Sequence, residues 1–212
     1  MKQPLIILGA GGHARVLIDA LRLQSAGILG LVDADSAKIG PPLLGVPVLG
    51  GDEQVFAYQA DQIQLVNGLG TVRSGAGRSA LFMRFKNRAY QFAIVVHPSA
   101  IIAPDVVLAE GAQIMAGAVL QTGCRIGVNA IINTRAALDH DCEIGDHVHI
   151  APGATLSGGV IVGQNTHVGA GATVIQGIRI GCDCTVGAGA VVIRDVPDGA
   201  TVVGVPAKEI RT

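Results

Sequence analysis

IGVNAIINTRAALDHDCEIGDHVHIAPGATL, Ile126 to Leu156, places an aliphatic residue at every sixth position: Ile126, Ile132, Leu138, Ile144, Ile150 and Leu156. Followed outward, the beat starts at Val96 and passes Ile102, Leu108, Ile114 and Leu120. Beyond Leu156 it runs through Val162, Val168, Val174, Ile180 and Val186 to Val192 without a missing member. Four residues after most of these stands a small or β-branched residue, such as Ala112, Ala118, Cys124, Ala130, Ala136, Cys142, Ala154, Thr166, Ala172, Cys184 and Ala190. An α-helix needs apolar residues near period 3.6, and a hairpin sheet breaks its period at each turn. A sustained period of six fits neither. It predicts short parallel strands wound into a coil, three hexapeptides closing one triangular turn of 18 residues, with aliphatic side chains stacked along the axis and small ones filling the gaps. Glycines such as Gly127, Gly145, Gly163, Gly169, Gly181 and Gly187 punctuate the run.

The composition agrees. Thirty glycines, no tryptophan and six Phe and Tyr residues in an otherwise apolar chain of 212 residues imply a core of small and aliphatic side chains. A net charge of −1 with no basic run excludes a nucleic-acid groove or a polybasic membrane anchor. The apolar stretch Leu5–Ala10 is far shorter than a bilayer span and follows no secretory leader pattern, so a cytoplasmic protein without membrane association is expected. Cys182 and Cys184 make only a C-x-C pair, and no second ligand pair completes a zinc set, so no metal is expected. Cys124 and Cys142, 18 apart, both fall on the small inward position and read as packing.

The first half reads differently. LIIL at 5–8 is a buried strand that runs into GAGGHA at 9–14 and then a helix over Val16–Leu23. Gly9, Gly11 and Ala14 satisfy a relaxed G-x-G-x-x-G/A pattern, which lets backbone N–H groups approach a phosphate. A second strand, Ile28–Val32, ends on Asp33, an acid suited to a sugar hydroxyl. Strands are predicted at Ile63–Val66 and Phe92–Val96, helices at Asp52–Ala60 and Arg78–Tyr90, and a Pro/Gly-rich connection at Pro41–Gly51. The chain is thus expected to divide into a Rossmann-like α/β module, residues 1–96, and a parallel β-helix, residues 97–212.

Polar residues gather at Asn133–His149. On the six-residue register His140 and Asp141 fall at a corner of the coil and face outward. Thr122 and Gly158 lie one turn either side of His140, Gly123 and Gly159 either side of Asp141. An exposed imidazole among small neighbours suits general-base work, and an adjacent carboxylate can orient it or tune its pKa.

Three motifs, GAGGH at 9–13, NTxxxxxH at Asn133–His140 and GVPAK at Gly204–Lys208, make essentially the whole chain resemble the bacterial sialic acid and nucleotide-sugar acetyltransferases, a branch of the hexapeptide-repeat acyltransferases. The resemblance implies a left-handed coil, a homotrimer, and transfer of acetyl from acetyl-CoA to an amino group of a nucleotide-linked sugar in surface glycan synthesis. O-acetylation of a sialic acid is the alternative acceptor chemistry. By the same resemblance His140 is the general base, with Asp141 where the family often has Glu. His149 lies near the acetyl group of the cofactor, Gly158 and Ala170 line the cofactor groove, and Asn133 is on the substrate side. Gly11, Gly12, His13 and Asp33 hold the nucleotide part. The segment NGLGTVRSGAGR at 67–78 departs from the I-G-N-N loop of some members, which implies a different sugar preference.

Three other classes compete. A zinc hydrolyase on the same β-helix would use histidines of facing subunits, and His149 and His167, 18 apart, should stack; its two histidines five apart are missing. A non-catalytic oligomer would use the first module only as a nucleotide sensor. An NAD oxidoreductase would need a second catalytic domain.

Overall fold

The computed structural model describes residues 3–71 and 76–210, and within them the chain builds two units that share a polar seam. In the first, five parallel strands take the order β3-β2-β1-β4-β5: β1 Leu5–Leu8, β2 Ile28–Val32, β3 Val48–Gly50, β4 Gln64–Asn67 and β5 Gln91–Phe92. All four residues of β1 are buried, because the strand is covered on both faces. Leu5 and Ile7 pack with α1 (Gly12–Leu23), whose Ala14, Leu17, Ile18 and Leu21 repeat at helical spacing. Ile6 and Leu8 pack with Phe82 and Phe85 of α2 (Ala76–Lys86).

Several element limits differ from those expected. Helix α1 begins at Gly12, inside the glycine motif, so the motif's own N–H groups form the helix start. Asp52–Ala57 is a 3₁₀ helix with Val55 as its single buried residue, too little apolar face to carry an α-helix on to Ala60. Helix α2 stops at Lys86, after which Ala89 turns with φ +64°. The strand expected at Phe92–Val96 splits: Gln91–Phe92 closes the first sheet, whereas Val95–Val96 pairs with Gln113–Ile114 and starts the coil. Of the 67–78 segment, residues 72–75 lie outside the described residues.

The second unit is a parallel β-helix with three faces, strands stacking at an offset of 18 residues, as in Ile132 on Ile150 and Leu138 on Leu156. Its domain-side face holds Gln113–Ile114, Ile131–Ile132, His149–Ile150, His167–Val168 and Thr185–Val186. The second face holds Val119–Leu120, Ala137–Leu138, Thr155–Leu156 and Thr173–Val174; the third holds Arg125–Ile126, Glu143–Ile144 and Ile161–Val162. The aliphatic column and the small inward residues form one continuous core, as the six-residue beat requires. Cys124 and Cys142 lie within it as free thiols whose Sγ atoms donate to Asp139 O at 3.1 Å and Ser157 O at 3.3 Å.

The corners follow a second six-residue column that the aliphatic beat does not reveal. Gly111, Gly117, Gly123, Asn129, Arg135, Asp141, His147, Gly153, Gly159, Asn165, Gly171, Gly177, Asp183 and Gly189 all have φ between 55° and 78°. Only Gly, and to a lesser degree Asn and Asp, occupy this region cheaply, which explains the dominance of those types. Asp141 therefore sits where the bend requires a left-handed residue and where a short acid is tolerated.

Candidate active site

His140 and Asp141 occupy the corner between the second and third faces, their side chains 48% and 70% exposed. Asp141 Oδ2 stands 2.8 Å from His140 Nδ1, and Asp139 Oδ1 accepts the His140 backbone N–H at 2.8 Å. The hydrogen bond to Asp141 raises the imidazole pKa above its ordinary value, and Asp139 adds in the same direction. With Nδ1–H donating to the carboxylate, the neutral ring presents the Nε2 lone pair as a base. That ring lies over Gly158, where an added Cβ would stand 2.4 Å from Nε2. Gly158 thus serves first as the floor of the imidazole. A shallow groove of about 230 Å³ on the second face borders this corner, lined by Gln121, Ala137, Asp139, Thr155 and Ser157 among others.

His149 projects from the domain-side face into the seam under the first unit. It is 7% exposed, its Nδ1 bonds the Thr71 hydroxyl, and its Nε2 lies 3.0 Å from Asn133 Nδ2. His167 stacks on it edge to face, ring centroids 4.9 Å apart. Burial, helped by the nearby His167, His13 and Arg78, pushes His149 down to about 3, so it is neutral at physiological pH. Both nitrogens are engaged, which leaves no lone pair for a metal. Among the described residues no group of three or more His, Cys, Asp or Glu side chains is placed to hold an ion.

The glycine turn lies at the carboxyl ends of β1 and β4, where the strand order reverses; ligands of open α/β sheets bind in that crevice. Nothing stands within 4 Å of a Cβ built on Gly11 or Gly12, so their backbone is open to a ligand. Asp33 is turned inward and only 6% exposed. Its Oδ2 accepts from Ala10 N at 2.6 Å and Lys38 Nζ at 3.0 Å, its Oδ1 from Asp35 N at 2.9 Å. Burial would raise its pKa, but these donors together lower it. Expected as a ligand for a sugar hydroxyl, Asp33 first staples the turn to the end of β2. His13, expected at the nucleotide, places Nε2 2.7 Å from Gln113 Oε1, while Gln113 Nε2 donates to Asn67 O. That amide orientation makes Nε2 of His13 the donor, and burial pushes its pKa down to about 4. A cavity of about 810 Å³ lined by Gln3, Gln24, Gln64, Gln91 and Glu110 opens at the amino ends of β1 and β4, the wrong end of the sheet for the glycine turn.

The sequence-derived residues therefore fall into separate places on one chain. His140, Asp141 and Gly158 share the corner between the second and third faces. Asn133, next to His149, and Ala170 lie along the corner between the domain-side and second faces. Gly11, Gly12, His13 and Asp33 surround the glycine turn. Sequence reading missed the seam that joins the last two places: Asn67, Thr71, Arg78, Gln113 and Asn129, all buried polar residues.

Residues 4–76 match the PglD N-terminal domain, residues 123–158 the six-repeat bacterial transferase hexapeptide, and residues 159–194 the hexapeptide repeat of succinyl-transferase. No curated protein sequence matches the chain. Among solved structures the chain is similar to PerB from Caulobacter crescentus, solved with CoA and GDP-perosamine. The identity is 39% over 100% of this chain and 99% of that one, with a TM-score of 0.91. Similar structures of the Caulobacter perosamine N-acetyltransferase, 38% identical, carry a histidine replaced by asparagine or alanine with the same two ligands bound. The acetyltransferase domain of PglB from Neisseria gonorrhoeae, solved with acetyl coenzyme A, is 32% identical over 99% of this chain and 100% of that one, TM-score 0.91. WeeI from Acinetobacter baumannii is 27% identical over 99% and 100%, TM-score 0.88.

Proposed function

The chain belongs to the nucleotide-sugar N-acetyltransferases that join a PglD-type N-terminal domain to hexapeptide repeats, and on that premise we propose that His140 is the base with which it moves acetyl from acetyl-CoA to a sugar amine. The enzyme is an acetyltransferase with acetyl-CoA as donor and a nucleotide-linked amino sugar as acceptor. The observation that carries the assignment of His140 is its free Nε2, aimed by Asp141 and seated on Gly158. The amine attacks the thioester carbonyl as Nε2 removes its proton, the tetrahedral oxyanion collapses with cleavage of the C–S bond, and the departing sulfur takes that proton so that CoA leaves as the thiol and His140 is neutral again.

Gly11, Gly12, His13, Asp33 and Asn133 form the acceptor end, and His149, Gly158 and Ala170 flank the donor. His149, neutral and buried, acts by holding Asn133 and not as a second base. His140 and Gly158 sit on one corner of the coil and Asn133 and Ala170 on another, so a homotrimer brings the His140 corner of one subunit to the Asn133 corner of the next. GDP-perosamine is the first acceptor to assay, because relatives 38–39% identical are solved with it. Thiol release from acetyl-CoA, measured against GDP-, UDP- and CMP-linked amino sugars and free sialic acid, tests the reading. Release with a nucleotide-linked amino sugar is expected. Release with none of them would end it, and release with sialic acid alone would replace the N-acetyl assignment by O-acetylation.

A further inference from the structure

Arg78 carries a positive charge that nothing in the described chain neutralises. It stands in the first turn of α2 and is 2% exposed. Among the described residues its guanidinium donates to carbonyl oxygens: Asn67 O at 2.8 Å, Leu69 O at 2.6 Å, and Asn129 O at 3.3 and 3.2 Å. Among the described residues no carboxylate lies within ion-pair distance of it, and the sequence of residues 72–75, Val-Arg-Ser-Gly, supplies none. Neutral donors such as a side-chain amide would satisfy carbonyls without burying an ion, and burial of an ion without a counter-ion is costly. The charge itself calls for a reason.

Its surroundings supply one. Two of the three carbonyls belong to the loop Asn67–Thr71, which walls the crevice at the glycine turn. A Cβ on Gly68 would meet Leu8 O at 2.8 Å, one on Gly9 would meet Leu69 Cδ2 at 2.9 Å, and one on Gly70 would meet His13 Cβ at 3.4 Å. Across the crevice α1 begins with no acid in its first turn and no side-chain cap. His13 and His147, which feel the Arg78 charge, are held neutral by burial. Asp33, the nearby acid, is already matched by Lys38.

We propose that Arg78 is a positioning residue for the acceptor's diphosphate, supplying from beneath the loop the positive charge that this dianion neutralises when it lies across the glycine turn. The proposal rests on the nucleotide-sugar reading and adds to it the element that selects a diphosphate over an uncharged nucleoside. Arg78 acts through the Asn67 and Leu69 peptides: a cation on their carbonyls polarises the N–H groups that follow and fixes the loop against the turn.

Calorimetric titration of the full-length chain with GDP, UDP, guanosine, uridine and, separately, CoA tests this without turnover. Three variants are compared: Arg78→Gln removes the charge, Arg78→Lys keeps it, and Asn129→Asp adds an isosteric carboxylate beside it. Asn129 is suited because its Oδ1 already accepts from Asn67 Nδ2 at 3.2 Å, within the same buried cluster. Nucleoside diphosphate affinity should fall at least about ten-fold in Arg78→Gln and Asn129→Asp and less in Arg78→Lys, while nucleoside and CoA affinities stay within about two-fold. If Arg78→Gln does not fold, Asn129→Asp decides, since it preserves every volume. Unchanged diphosphate affinity in the folded variants would overturn the role of Arg78 and leave the acceptor reading standing. A wild-type chain that binds neither GDP nor UDP would overturn both.

Discussion

Gly158 lies directly beneath the imidazole of His140: a methyl group on its Cα would stand 2.4 Å from Nε2, 2.5 Å from Cε1 and 3.0 Å from Cδ2. The backbone of Gly158 is not in the left-handed region, so alanine is tolerated there at no conformational cost. What must yield is the imidazole, the far end of a rotatable side chain. Gly158→Ala is therefore expected to leave the melting temperature within about 2 °C while lowering kcat by roughly 10- to 100-fold, the scale on which misplacing a reacting group by an ångström acts. Parallel calorimetry and steady-state kinetics check it. An unchanged kcat would detach the His140 ring position from the chemistry.

Asp141 and His140 make a second, separable prediction. The carboxylate favours the imidazolium, so its removal lowers the His140 pKa. Asp141→Asn should move the acid limb of the kcat/KM profile to lower pH and reduce the plateau, because a less basic Nε2 is a weaker proton acceptor. His140→Ala should lower the plateau by about 100-fold or more with the fold intact, since the side chain stands outside the core. A limb that stays in place in Asp141→Asn would mean that another group sets it.

Much of this was legible in the sequence, and the reason is geometric. A coil with a fixed 18-residue turn converts sequence separation directly into height and corner, so the beat from Ile126 onward predicts the faces, the outward placing of His140 and Asp141, and, continued past Leu156, the stacking of His149 on His167. The same regularity hid what lies beyond the repeat. Gln113 and Asn129 belong to no motif of the sequence, yet the domain-side face is roofed by the first unit and both are fully buried. Arg78 enters the sequence reading only as the start of a helix; the fold shows it sealed under the Asn67–Thr71 loop. Asp33 was placed correctly at the end of β2, yet its competition between ligand and turn was invisible, because Lys38 and the Ala10 N–H reach it only in three dimensions.

Acid should destabilise the fold through the seam. His13 and His149 have folded pKa values near 4 and 3, lowered first by burial, against an unfolded value near 6.5; burial lowers His147 and His167 as well. Between these limits the unfolded chain binds more protons than the folded one, so stability rises with pH across the window and is lost as pH falls from about 6.5 towards 4. Urea midpoints measured from pH 7 to pH 4 should fall steadily. In His149→Gln, where nothing titrates at that position, the fall should be shallower. A pH-independent midpoint in the wild type would show that these histidines are charged in the folded protein.

The last prediction concerns the division of the site between subunits. His140 stands at the corner between the second and third faces, and His149, nine residues on, stands on the domain-side face opposite that corner. The aliphatic core of the coil lies between them, so the two side chains cannot meet in one chain. His149 holds Asn133, which lies on the other edge of the second face. If both ends serve one acetyl transfer, each site joins the corner of one subunit to the edge of the next, and closed symmetry repeats it around the trimer. His140→Ala and His149→Ala chains, each made alone, lack one end at every site and should be inactive. In a mixed trimer a junction combines two intact ends only when the right subunits meet in the right order, which happens at about one junction in three whichever chain is in the majority. Co-expressed, differently tagged chains purified as mixed trimers should therefore recover roughly a third of wild-type activity, with no recovery when the two variants are purified separately and combined without subunit exchange. Mixed trimers as inactive as either parent would place the whole site within one subunit and remove His149, with the Asn133 it holds, from the shared site.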